Sequence, residues 1–135
     1  MADWYGQSRS NYFRVKDPKK FKSLCARWGI EAITKEVNGE TLHGFLEGND
    51  NNGALPNYRA RGSVDLDFDD FCKELSKMLV DNEVAVMMEC GAEKLRYLTG
   101  CAIAINNKNK SVGVHLEDIY EKAKILGLNI TQCEY

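Results

Sequence analysis

Apolar residues recur at helical spacing in three stretches of the chain. Phe21, Leu24, Cys25 and Trp28 stand at offsets 0, 3, 4 and 7, and Phe68, Phe71, Cys72, Leu75, Met78 and Leu79 carry the same spacing further. Leu116, Ile119, Tyr120, Ala123 and Leu126 repeat it near the end. Each set places one apolar stripe on a helix, so helices are predicted over 18–28, 67–80 and 116–126. Their ends agree with this. Asp17-Pro18 and Asp67, with Asp69 and Asp70 behind it, suit helix starts, and Gly29 and Gly127 follow the last stripe residues where a left-handed cap belongs.

Between the helices the period drops to two. Glu31–Val37 and Thr41–Glu47 flank Asn38-Gly39, the pair best suited to a type I′ turn, which predicts a hairpin. Val84–Cys90 and Leu95–Ile105, joined by the turn Gly91-Ala92-Glu93-Lys94, and then Ser111–His115 predict an antiparallel meander. Val84, Val86, Met88 and Cys90 are expected on one face against Tyr97, Cys101, Ile103 and Ile105. Asn11–Val15 and Leu128–Cys133 are shorter strand candidates. The order β-α-β-β-α-β-β-β-α-β, with every element needing one covered face, predicts an α+β domain with antiparallel sheet and about three helices packed on one side. At 135 residues one compact domain spans the chain.

Helix-to-strand junctions at both ends look alike: Val15 through Trp28-Gly29-Ile30 resembles Val114 through Leu126-Gly127-Leu128. The stretch 48–64 is long for a connection in a compact domain. Within it Tyr58, Arg59 and Arg61 precede the acidic run Asp65, Asp67, Asp69 and Asp70, which points to a functional loop.

Composition is that of a folded domain: 44% hydrophobic, 28% charged, with two prolines and eleven glycines. No apolar run approaches the length of a membrane span, and the first ten residues lack the order of a secretion signal, so a cytoplasmic protein without membrane contact is expected. Cys25, Cys72, Cys90, Cys101 and Cys133 are odd in number and show no C-x-x-C spacing, and at least three fall on the apolar side of a predicted helix or strand, so reduced thiols acting as small core residues are expected.

Charge divides the chain. The first 27 residues hold seven basic side chains against Asp3 and Asp17, a local balance of +5 in a chain of net charge −2, and Trp4, Tyr5, Tyr12 and Phe13 are interleaved with them. Such a field steers association with partners. Basic groups beside aromatic rings also permit a single-stranded nucleic-acid reading, although a pI near 5.7 lacks the domain-wide basic field usual for that class.

Candidate chemistry is sparse. His43 and His115 have no serine, cysteine and carboxylate in a recognised local signature. Gly91-Ala92-Glu93-Lys94 lacks the phosphate-loop frame, and the aspartate run lacks the glycine and glutamate of a calcium loop. Helix capping accounts for Asp67, Asp69 and Asp70. No catalytic set, metal site or cofactor is expected; a small enzyme would need a nonlocal site drawing on His43, Glu89 or Cys90.

Trp4-Tyr5-Gly6 with the run Arg9 to Asp17, and Glu83-Val84-Ala85-Val86 with the run Gly91 to Gly100, resemble segments of small proteins carried by bacterial phages, plasmids and integrative elements. The resemblance covers both ends and omits 48–64. It implies a mobile-element context, in which inhibitors of host defence such as anti-CRISPR and anti-restriction proteins are common. The expected function is therefore a stoichiometric inhibitor that binds a host defence nuclease. Trp4, Tyr5, Arg9, Tyr12 and Arg14 are the expected contacts at the N-terminus, with Tyr58, Arg59, Arg61, Asp65, Asp69 and Asp70 around the second helix. Single-stranded nucleic-acid binding, a small enzyme and homo-oligomerisation remain the alternatives.

Overall fold

A computed structural model of the chain describes residues 4–48, 52–93 and 97–133. The elements in order are β1 (Trp4–Ser10), α1 (Pro18–Arg27), β2 (Glu31–Val37), β3 (Glu40–Leu46), β4 (Tyr58–Arg61), β5 (Val64–Asp67), α2 (Phe68–Met78), β6 (Ala85–Glu93), β7 (Tyr97–Ile105), β8 (Ser111–His115) and α3 (Asp118–Lys122), followed by a 3-10 turn (Ala123–Ile125). Six strands form one antiparallel sheet in the order β2-β3-β1-β6-β7-β8, and β4-β5 form a separate hairpin. The architecture is α+β.

Local chemistry sets the ends of the first two helices. The Asp17 carboxylate accepts from the Lys19 and Lys20 amides ahead of Pro18. At the other end Gly29, with φ of +69°, lets the Gly29 and Ile30 amides reach back to Ala26 and Cys25, a paired closure that β-carbon-bearing residues resist. Asp67 and Asp70 cap α2 reciprocally. Asn38 and Gly39, at φ of 52° and 78°, make the predicted β2–β3 turn.

Both helices press their stripes on one face of the sheet. Phe21, Leu24 and Cys25 of α1 and Phe71, Cys72 and Leu75 of α2 are buried with Phe13, Phe45, Leu79, Ala85, Met87 and Ile105. Phe71 is the hub: its ring lies 5.4 Å from Trp28 and 5.7 Å from Phe45, both edge to face. Full burial of each such side chain contributes about 1.5–3 kcal/mol.

Several details differ from the sequence reading. The first strand is Trp4–Ser10, while 11–15 is extended chain holding two isolated bridges, Phe13 to His43 and Val15 to Leu79. Its buried face consists of Gly6, Ser8 and Ser10, too polar for an apolar alternation to reveal. Ser10 Oγ accepts from the buried Phe45 amide and donates to the Asn11 carbonyl, which satisfies it inside. Gly91–Glu93, read as a turn, continue β6, and the connection at 94–96 lies outside the described residues.

The meander faces are also reassigned. Met88 pairs with Ala102, so Val86, Met88 and Cys90 share a face with Ala102 and Ala104, whereas Met87 pairs with Ile103 and points to the core with Ile105. Both faces of β6 are apolar, and periodicity cannot say which one a helix covers. Of the stretch 48–64, residues 49–51 lie outside the described residues, and 58–64 supply β4 and the turn into β5. At the C-terminus no residue of α3 is buried, Gly127 keeps an ordinary φ, and 128–133 form no strand. The likeness between the two helix-to-strand junctions therefore ends in opposite environments.

Of the cysteines, only Cys25 and Cys72 are core residues, and burial pushes both thiols up to about 12. Cys101 is half-buried and Cys90 and Cys133 are exposed, so two thiols lie in the core where at least three were expected on apolar sides. All five are free. Among the described residues no helix is long and apolar enough to cross a membrane.

Candidate functional site

The helices leave the other face of the six-stranded sheet open. Strand register assigns its residues: Glu31 opposes Leu46, Leu46 opposes Arg9, Arg9 opposes Met88, Met88 opposes Ala102 and Ala102 opposes Val114, one row across all six strands. The next row is Gln7, Cys90, Gly100 and Leu116, the last closed by a bond from the Leu116 amide to the Gly100 carbonyl. A groove of about 810 Å³ runs over these two rows.

The face is chemically divided. On the β2–β1 side Glu31, Lys35, Gln7 and Arg9 stand among Ile33, Leu42 and Leu46, so polar and apolar residues are mixed there. On the β6–β8 side nearly every outward residue is apolar: Val86, Met88 and Cys90, then Leu98, Gly100, Ala102 and Ala104, then Val112, Val114 and Leu116. Met88, Leu98, Val112, Val114 and Leu116 are all more than half exposed. The small residues along β7 lie between larger ones on β6 and β8, which gives the groove its floor.

The structure separates the sequence-predicted contact residues into groups. Tyr5 and Arg9 lie on the open face, Tyr5 largely exposed, and Tyr12 stands beside Arg9 with the Arg9 guanidinium 5.7 Å and the Lys35 ammonium 5.6 Å from its ring centre. Trp4 points the other way. Its indole N–H donates to Thr99 Oγ1 at 2.7 Å, and its ring fills the space that side chains on Gly6 and Gly91 would need. Arg14 is engaged within the chain, bonded to both Glu40 oxygens and to Glu83, and this pairing raises its pKa and lowers that of Glu40.

The remaining candidates sit on the helix side. The Arg59 guanidinium lies 5.9 Å from the Trp28 ring, and Trp28 Nε1 donates to Glu74. The Tyr58 hydroxyl donates to Asp65, which raises the phenol's pKa, and Asp70 is spent on the α2 cap. Arg61 and Asp69 are exposed. The lysines of α1 stand on its solvent side, apart from Tyr5 and Arg9, so the basic and aromatic groups of the N-terminus do not form one surface.

His43, Glu89 and Cys90 are not brought together. His43 is buried with its ring 5.9 Å from Phe21, and burial lowers its pKa, with Lys22 adding to the effect and Glu36 opposing it. Glu89 and Cys90 point to opposite faces, and Glu89 accepts from the Leu55 amide. Register instead aligns Ser8, Glu89, Cys101 and His115 across β1, β6, β7 and β8, a row that sequence spacing did not reveal because it depends on three pairings. Burial and the Glu89 charge push the Cys101 thiol up, opposite to what a nucleophile needs. Among the described residues no three histidine, cysteine or carboxylate groups are grouped to hold a metal.

No family model, no curated protein and no solved structure matches the chain. The open face is therefore read on its own chemistry.

Proposed function

We propose that this chain is a stoichiometric protein-binding domain that docks on its partner through the open face of the sheet, and that it acts as a mobile-element inhibitor of a host defence nuclease. The observation that carries the reading is the bare apolar surface of β6, β7 and β8 beside Tyr5 at one end of β1 and the Arg9–Tyr12 pair at the other. Soluble chains rarely leave contiguous apolar area of this size in water without using it. An apolar centre flanked by tyrosine and arginine is also how protein interfaces are built. The inhibitor role rests further on the segments that resemble small mobile-element proteins.

The test titrates the chain against a panel of restriction and CRISPR nucleases. A matching nuclease loses activity linearly to an endpoint near one chain per enzyme, and the double variant Met88→Lys/Val114→Lys removes the inhibition while keeping the native circular dichroism spectrum. Inhibition unchanged by that variant, or no nuclease of the panel inhibited, overturns the reading.

A further inference from the structure

The open face is not the only bare apolar surface. From Leu116 onward the chain exposes Ile119, Ile125, Leu126 and Leu128, the last three at 91%, 88% and 84% of full exposure. Of the stripe that the sequence encodes over 116–126, only 118–122 form α-helix and 123–125 a 3-10 turn, yet none of its residues is buried. These residues belong to a small closed unit: the His115 amide donates to Asp118, the Ile119 amide to the Leu116 carbonyl, and the Tyr120 hydroxyl accepts from the Cys133 amide. Its direction is fixed at Leu116, whose side chain already lies over Gly100 at the groove's edge. Beyond Leu116 the segment's apolar side chains stand in solvent and are not packed on the groove of their own chain.

We infer that a second copy of this chain covers the open face, each copy laying its segment 118–130 along the other's β7 trough. This rests on the reading of the open face as a docking surface and adds its regulation: the free protein is a dimer in which the groove is occupied, and a foreign partner must displace the segment. Three observations support it. The same chain supplies both an empty apolar trough and an unburied apolar stripe, which is the self-complementarity a two-fold dimer requires. The two surfaces meet at Leu116, so a single two-fold operation covers both at once. Met88, Leu98, Val112, Val114, Leu116, Ile119, Ile125, Leu126 and Leu128 together offer roughly the 800 Å² per partner of a standard stable interface.

The experiment measures mass by light scattering after gel filtration of the full chain over a dilution series. The expected wild-type mass is twice the 15.3 kDa of one chain. Ile125→Glu/Leu126→Glu, which spoils the segment, and Met88→Lys/Val114→Lys, which spoils the trough, each give monomers with native circular dichroism, since all four positions are exposed in the monomer. An equimolar mixture of the two variants returns to dimer mass, because the intact segment of one fits the intact trough of the other. A monomeric wild type, a segment variant that stays dimeric, or a mixture that stays monomeric each overturns the exchange. Inhibition that persists in a monomeric wild type separates failure of this inference from failure of the proposed function.

Discussion

The stripes of 21–28 and 116–126 carry the same apolar spacing, yet the protein buries every residue of the first and none of the second. Met87 and Met88 repeat the contrast one residue apart, the first fully buried and the second 58% exposed. Apolar spacing in a sequence specifies that a face will be covered; it does not specify by what. The face of Phe45, Met87 and Ile105 found its cover within the chain, where Phe21 and Phe71 reach the sheet, and the face of Met88, Ala102 and Val114 did not. That asymmetry is the physical basis for assigning the open face to binding.

The largest expected effect lies on the covered side. Phe71→Ala should cost about 3–5 kcal/mol and Leu75→Ala about 2–5 kcal/mol in urea unfolding, because each leaves a cavity that the surrounding rings cannot close. Met88→Ala, measured in the dilute chain, should cost less than about 1 kcal/mol, since water already covers that side chain. Equal losses at positions 71 and 88 would erase the distinction between the two faces.

Gly91→Ala comes next. The new methyl would sit 2.3 Å from the Trp4 ring, so the indole must leave Thr99 or β1 must shift, at a cost of about 1–3 kcal/mol. Trp4 fluorescence in a Trp28→Phe background reads the displacement directly. An unchanged spectrum and unchanged stability would mean that Trp4 is not the clamp over β1 and β6.

The smallest effect is one of pH. Burial lowers the His43 pKa below its usual 6.5, so the folded protein holds it neutral while the unfolded chain takes up a proton. Its contribution is present above that value and is lost as pH falls through it. Between about pH 7.5 and 5.5 the wild type should therefore lose more stability than His43→Gln, as read from urea midpoints. Parallel pH dependences would place His43 in a solvated site.

Much of the covered half was legible. Phe21, Leu24 and Cys25, the Asn38-Gly39 turn and the Asp67 cap are local signals, and each produced the element it predicted. β1 was hidden because Gly6, Ser8 and Ser10 form its inner face, and at Gly6 the Cys90 carbonyl of β6 and the ring of Trp4 come too close for a larger side chain. The candidate site was legible only in fragments. Tyr5, Arg9 and Tyr12 reach it, but Met88, Ala102 and Val114 become neighbours only through strand register, which no spacing along the chain encodes. Arg14 looked free in sequence because Glu40 and Glu83 lie 26 and 69 residues away.

The central claim is that the open face, and not the helix side, meets the partner. Site-specific photocrosslinking in bacterial cells tests it most directly, with a photoreactive phenylalanine placed at Val114 or Met88 on the open face and at Asp69 or Lys73 on α2. The account predicts discrete adducts from the two open-face positions and none from α2. Adducts from α2 alone would contradict it.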